Sequence, residues 1–159
     1  MKPRTLVVLD IDGTLCASLA VPERRGDLDF RAWERRIAAA GADLPLVHGA
    51  AAGVARVVEA GLPVALVTAR RRTLEAATRT WLAAHLPALA AAPLRMRVCE
   101  LPSKALRAAQ LRTLHLEHEE PELLVLDDGP IEVELPGLRA FRAPAEWEAF
   151  ALAVAAAAW

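Results

Sequence analysis

Three short apolar runs constrain the fold of this chain more than any other feature. The runs Leu6 to Leu9, Pro63 to Val67 and Leu123 to Leu126 consist almost entirely of valine, leucine and alanine. A strand with one face in water alternates apolar and polar residues, whereas these runs do not alternate. They are typical of strands buried on both faces, which occur mainly in parallel sheets covered by helices.

Segments with helical periodicity separate the apolar runs, and they predict an alternation of strand and helix. The clearest helical segments are Ala50 to Ala60, Thr73 to His85 and Lys104 to Glu117, with a packed terminal helix from Phe150 to Trp159. Weaker strands are predicted from Leu94 to Cys99 and from Leu138 to Phe141, in an order that the sequence leaves open. The alternation predicts an α/β fold with three layers, in which a mainly parallel, doubly wound sheet binds ligands at the carboxyl ends of its strands.

The length of 159 residues is that of a single domain, and we assign residues 1–159 to one. Residues 16–45 are less regular than the rest. We interpret them as a small insert near the active site, with a short helix from Asp29 to Ala40 that lies over it. An insert of about 30 residues is too short for a full cap domain, so the site should be open.

Composition excludes several classes of function. The net charge of −1 provides no global basic field for nucleic acid, although the arginines at 70–72, 95 and 97 are local anion-binding candidates. No apolar run approaches the roughly 20 residues of a membrane span, and no feature indicates an obligate protein partner. Cys16 and Cys99 lack the spacing of metal ligands, so we expect a reducing cytoplasm as the location.

The chemistry is concentrated where the first apolar run ends, in Asp10-Ile11-Asp12-Gly13-Thr14. Gly13 allows a sharp turn, and the two carboxylates lie at the carboxyl end of a buried strand. Like charges held close together repel, so a bound cation is the natural compensation. Oxygen ligands favour Mg²⁺, which proteins hold with one or two carboxylates and a substrate phosphate.

Four motifs in order give the chain its resemblance to the haloacid dehalogenase-like hydrolase superfamily. The first is the strand with Asp10 and Asp12, and the second is Val64 to Thr68 followed by Ala69-Arg70. The third is Lys104 near the start of a helix, and the fourth is the pair Asp127-Asp128 after a strand.

The resemblance implies a phosphatase in which Asp10 is the nucleophile and Asp12 the general acid and base. It implies that Mg²⁺ binds the Asp10 carboxylate, the Asp12 backbone carbonyl and Asp128, with Asp127 able to exchange roles with Asp128. Thr68 and Lys104 would stabilise the phosphoryl group. The predicted substrate-binding residues are Thr68, Ala69, Arg70 and Lys104.

A closer resemblance is to the 3'-phosphatase domain of phage-type polynucleotide kinases. It rests on Val67 to Arg70, on Thr78 to Leu82, on Asp29 to Trp33 and on a late helix with Trp147. It implies a phosphorylated substrate that is a nucleic-acid 3' end. The chain departs from these proteins after Lys104, where their run of basic and acidic residues is replaced by Ala105-Leu106-Arg107, and it lacks a kinase phosphate-binding loop.

Two alternatives stay open at this point. One is a phosphatase for a nucleotide or another small phosphorylated metabolite, and the other is a non-catalytic domain that only binds phosphate. Among ancillary residues, Trp81 and Leu82 are predicted to be core because they lie in an amphipathic helix. His115 and His118 have the spacing of helix neighbours without a third ligand, so we expect them at the exposed surface.

Overall fold

A five-stranded parallel sheet forms the centre of the molecule. The computed structural model describes residues 5–18, 30–98, 104–119 and 121–159. The strands are β1 (Thr5–Leu9), β2 (Val64–Thr68), β3 (Leu94–Val98), β4 (Glu122–Asp127) and β5 (Leu138–Arg142). Their order across the sheet is β3-β2-β1-β4-β5, and every pairing is parallel. The predicted doubly wound α/β fold is therefore confirmed.

Apart from the short helix Pro87–Ala91, which was not predicted, the helices of the described residues agree with the predicted segments to within a few positions. They are α1 (Phe30–Ala40), α2 (Ala50–Glu59), α3 (Glu75–His85), α4 (Pro87–Ala91), α5 (Lys104–Glu117) and α6 (Trp147–Ala157). A separate 3-10 turn at Arg72–Leu74 precedes α3, so the segment predicted as one helix from Thr73 is divided. The final helix begins at Trp147, three residues earlier than predicted. The last residue of the predicted third strand, Cys99, lies outside the described residues.

The sheet is covered on both faces, which explains why its strands lack polar alternation. One face of the central strands packs against buried residues of α1 to α4 and α6, among them Trp33, Trp81 and Phe150. The other face packs against Leu111 and Leu114 of α5 and against Val133 in the segment after β4. Three layers result, as predicted. Trp81 and Leu82 are each 1% exposed, so the prediction that they belong to the core is confirmed.

The strand order reverses beside β1, and this reversal fixes the position of the site. Leu9 in β1 lies opposite Leu66 in β2 and opposite Leu126 in β4. The connection from β1 leads to β2 on one side, whereas β4 on the other side is reached only after β3. Ligands of open α/β sheets bind in the crevice at such a switch point. The residues that follow β1 and β4 therefore meet in the crevice.

Two buried tryptophans fasten loops to the helical layer that packs against them. The indole N–H of Trp147 in α6 donates to the carbonyl oxygen of Thr14 at 3.1 Å, and Trp81 in α3 donates to Leu44 at 2.7 Å. Gly53 in α2 lies under the Trp147 ring, where a Cβ atom would come within 2.2 Å of a ring carbon. The close approach of α2 and α6 depends on that glycine, and it seats Trp147 against the loop after β1.

The described part of the insert packs into the core. Trp33 and Ile37 of α1 are each 2% exposed and contact the sheet layer. Glu34 reaches Thr73 at 3.4 Å and Arg71 at 3.7 Å, so α1 lies beside the turn that follows β2. Residues 19–29, and with them the predicted helix start at Asp29, lie outside the described residues. A position of the insert over the site remains a prediction.

The prediction that His115 lies at the exposed surface is wrong. Its side chain is 4% exposed, and its Nε2 atom is 3.1 Å from the carbonyl oxygen of Pro136. The segment between β4 and β5 passes over this part of α5 and covers the imidazole, which α5 alone would leave in water.

No helix in the described ranges is long and apolar enough to cross a membrane.

Candidate active site

The loop after β1 places two carboxylates at the centre of the crevice. Asp10 and Asp12 are each 4% exposed. Gly13 adopts a positive φ of 82°, and the amides of Leu15 and Cys16 both donate to the carbonyl oxygen of Ile11. The loop is thus a closed turn held by its own backbone. The turn therefore holds Asp12 in place, although Asp12 belongs to no helix or named strand.

Three acids from two strand ends converge within this crevice. Carboxylate oxygens of Asp10, Asp127 and Asp128 all lie within 4.8 Å of one another. Asp127 is buried, and its Oδ1 accepts the amide of Gly129 at 2.8 Å, whereas Asp128 is half-buried. The structure therefore brings together the residues that the sequence analysis named as Mg²⁺ ligands, together with the loop that carries Asp12.

Arg107 is a site residue that the sequence analysis did not identify. Its Nη2 donates to Asp10 Oδ1 at 2.9 Å, and its Nη1 donates to Asp127 Oδ2. The guanidinium therefore bridges the acids of β1 and β4 from α5. Helix geometry provided a signal, since Arg107 follows Lys104 by three residues and so occupies the same side of the helix. The side chain of Lys104 lies outside the described residues.

The electrostatics of Asp10 call for a cation. Burial raises the pKa of Asp10 well above its ordinary value, Arg107 opposes that shift, and the carboxylates of Asp127, Asp12 and Asp128 raise the pKa further. Arg107 contacts two of the three clustered acids, Asp10 and Asp127. A divalent ion bound by oxygen ligands would further offset the negative charge of the three carboxylates, so this donor set fits Mg²⁺.

Asp12 has a cation of its own. Arg70, which is 2% exposed, approaches Asp12 Oδ1 with Nη2 at 2.8 Å and with Nε at 3.1 Å. The hydroxyl of Ser18, at the start of the insert, also donates to Oδ1. Burial lowers the pKa of Arg70, whereas the charge and hydrogen bonds of Asp12, together with those of Cys16, raise it, so the net shift is upward and the guanidinium stays charged. The structure thus places Arg70 on a carboxylate, and a contact with phosphate remains a prediction.

The hydroxyl oxygen of Thr68 accepts a hydrogen bond, and the hydroxyl retains its own proton for donation. The residue ends β2 and is fully buried, and its Oγ1 accepts the backbone amide of Arg70 at 3.0 Å. Because this bond uses an acceptor position of the hydroxyl, the hydroxyl proton remains for another partner. Ala69, between the two, is half-buried at the same edge of the sheet.

The fold is similar to that of solved structures. Over 99% of both chains, the protein matches a haloacid dehalogenase-like family hydrolase from Xanthomonas campestris with a TM-score of 0.51 and 15% sequence identity. The chain has a haloacid dehalogenase-like fold. A second solved structure that matches the chain is a HAD family hydrolase from Deinococcus radiodurans R1, which was determined with bound phosphate and sodium. It shows 17% identity over 98% of this chain and 79% of that one, with a TM-score of 0.48.

No protein-family model matches the chain, and no curated protein matches it.

Proposed function

We propose that the protein is a Mg²⁺-dependent phosphatase that hydrolyses phosphate monoesters through an aspartyl-phosphate on Asp10. The observation that carries this proposal is the convergence of Asp10, Asp127 and Asp128 within 4.8 Å at the switch point of the sheet. Asp12 beside them supplies a second carboxylate. Hydrolysis of a phosphate ester needs a proton donor for the alkoxide that departs, whereas dehalogenation releases a halide that needs none.

In the proposed reaction, a carboxylate oxygen of Asp10 attacks phosphorus while the bond from phosphorus to the ester oxygen breaks. Asp12 gives a proton to the departing oxygen. Asp12 then accepts a proton from the water that attacks phosphorus, which releases phosphate, regenerates the Asp10 carboxylate and returns Asp12 to its protonated form. Thr68 donates to a phosphoryl oxygen, and Lys104 and Arg107 offset negative charge during the transfer.

Mg²⁺ would be held by the Asp10 carboxylate, the Asp12 backbone carbonyl and Asp128. When bound, it would neutralise charge shared by the phosphoryl group and its nucleophile. Asp128 is preferred to Asp127 as the ligand because, in the superfamily that the chain resembles, the metal-binding acid usually falls one residue into the acidic pair.

Metal dependence provides the first test. The protein treated with EDTA is expected to lose p-nitrophenyl phosphate hydrolysis and to regain it when Mg²⁺ is added in excess. Because the three acids lie so close together, Mg²⁺ should also raise the midpoint of thermal unfolding in the absence of substrate. Full activity in EDTA would contradict the role of the metal. Binding of Mg²⁺ without hydrolysis of any phosphate would favour the non-catalytic alternative.

For the substrate we propose a polynucleotide with a 3'-phosphate. The resemblance at Val67 to Arg70 and in α3 supports this class, as does the brevity of the insert. Exposed Arg35 and Arg72 and half-buried Arg71 also surround the contact between α1 and the turn after β2. Arginines near the site would attract the phosphates of a single strand. Action in the cytoplasm, without a membrane or an obligate protein partner, completes the proposal.

A panel of substrates tests this choice. We expect a 3'-phosphorylated oligonucleotide to give a higher kcat/KM than its 5'-phosphorylated isomer, nucleoside monophosphates or sugar phosphates. The advantage should decrease as salt concentration rises, since backbone contacts release counterions. A preference for a mononucleotide or a sugar phosphate would replace this substrate with the small-metabolite alternative.

A further inference from the structure

We propose that Arg70 is a positioning residue that orients Asp12 for proton transfer to the leaving group. This inference rests on the proposed phosphatase function and assigns Arg70 a role other than contact with phosphate. The evidence is the set of hydrogen bonds that Arg70 and Asp12 make in the interior of the protein.

The guanidinium of Arg70 is fixed at both ends of its fork. Its Nε and Nη2 contact Asp12, and its Nη1 donates to the hydroxyl of Thr78 at 2.9 Å. Thr78 lies on α3 and is 1% exposed. A buried arginine with its donors satisfied on two elements cannot rotate without losing charge-assisted hydrogen bonds. Arg70 is therefore a rigid support for Asp12.

The two oxygens of Asp12 are engaged unequally. Oδ1 accepts Ser18 Oγ and both Nη2 and Nε of Arg70, the latter two at 2.8 and 3.1 Å. Within the described residues, the hydrogen bond to Oδ2 is a 3.2 Å contact from Nε. A proton on Oδ1 would displace strong donors, whereas a proton on Oδ2 would displace little. Oδ2 is therefore the less engaged of the two oxygens, and the support leaves it available for exchange of a proton with the leaving group.

The location of Arg70 in sequence agrees with this role. The residue follows Thr68 by two positions, and its backbone amide donates to Thr68 Oγ1. One residue thus holds the hydroxyl of Thr68 with its main chain and the carboxylate of Asp12 with its side chain. The phosphoryl-binding side and the leaving-group side of the site are set in register by the same short turn.

Substituted phenyl phosphates provide the test, because their leaving groups share the phenolate oxygen and ring that depart and differ strongly in their need for a proton. Loss of a general acid should impair phenyl phosphate strongly and 4-nitrophenyl phosphate weakly, since nitrophenolate departs without protonation. In Arg70→Gln we expect kcat/KM for phenyl phosphate to fall at least about tenfold more than kcat/KM for 4-nitrophenyl phosphate. Arg70→Lys should change the ratio of the two kcat/KM values less, because the ammonium keeps the positive charge. Some change should remain, since the ammonium lacks the planar fork of the guanidinium.

Asp12→Asn provides the second half of the test. If Arg70 acts through Asp12, adding Arg70→Gln to Asp12→Asn should leave the ratio of the two kcat/KM values unchanged. A further change of the ratio in the double variant would overturn the inference.

Matched variants guard against unfolding. Thr78→Val removes one anchor of Arg70 at nearly constant volume and should shift the ratio in the same direction by a smaller factor. Arg79→Gln, on the same helix but exposed and paired with Glu75, should leave the ratio as in the native protein. If Arg70→Gln does not fold, a folded Thr78→Val with an unchanged ratio overturns the inference.

The outcomes separate this inference from the proposed function. A native protein that hydrolyses none of the aryl phosphates overturns both. Suppose that the native protein is active and that Arg70→Gln and Thr78→Val each lower kcat/KM for every aryl phosphate by one common factor. That result overturns the positioning role alone. That result would indicate direct contact between Arg70 and the phosphoryl group.

Discussion

Replacement of Asp10 by asparagine is expected to reduce kcat for p-nitrophenyl phosphate by at least about 1000-fold, because an amide cannot form the acyl phosphate. Asparagine also withdraws one anionic ligand from the cluster of three acids, so Mg²⁺ binding should weaken. Acid-quenched native protein should carry a phosphoryl group on the peptide that contains Asp10, as measured by mass spectrometry. The variant should carry none.

Asp43→Asn is the control for this experiment, since Asp43 is exposed in the 3-10 turn after α1. It should retain native activity, native Mg²⁺ binding and the phosphorylated peptide. If Asp10→Asn hydrolysed the substrate at the native rate, the nucleophile would have to be a different residue.

Replacement of Arg107 by methionine is expected to reduce both stability and activity. Methionine retains apolar packing but leaves Asp10 and Asp127 without the guanidinium that bridges them. Breaking a fully buried ion pair costs roughly 3–5 kcal/mol. Arg107 is 19% exposed, and solvent therefore screens part of its interaction, so we expect the free energy of unfolding to fall by about 2 kcal/mol. Loss of a cation aimed at the reacting groups should lower kcat by about 100-fold.

The stability change should depend on the metal. Urea unfolding followed by tryptophan fluorescence should show a larger gain from Mg²⁺ in Arg107→Met than in the native protein, because the ion compensates acids that have lost their arginine. Arg112→Met, an exposed change on the same helix, should behave like the native protein in EDTA and in Mg²⁺. Native stability and native kcat in Arg107→Met would show that the bridge from Arg107 to Asp10 and Asp127 contributes to neither stability nor catalysis.

The fold and the three-acid cluster could be predicted because both are written in local patterns. Unbroken apolar runs identify strands buried on two faces, and parallel strands place whatever follows them at one edge. Asp10 and Asp127-Asp128 come directly after such strands, so their convergence follows from the topology. The order β3-β2-β1-β4-β5 could not be predicted, since each short run fits more than one place in a parallel sheet.

The cations of the site were harder to predict because their partners depend on side-chain direction. Arg70 is near Thr68 in sequence, yet its guanidinium turns to Asp12, 58 positions away. Arg107 reaches Asp10 from one helical turn beyond Lys104, and a motif that names one lysine does not indicate the next cation. The burial of His115 could not be predicted for a related reason, since α5 alone would expose the side chain and the segment before β5 covers it.

The contact between Trp147 and Thr14 joins residues 133 positions apart, and it has a consequence for how the protein folds. The bonds that fix the crevice span long stretches of chain, as do those from Arg70 to Asp12 and from Arg107 to Asp10. Contacts of this kind form late, because much of the chain must be ordered before the entropy of closing such loops is recovered. A nascent chain that ends before α6 would lack the indole that fastens the loop after β1. Competence for chemistry should therefore arise among the final events of folding, after the sheet has assembled.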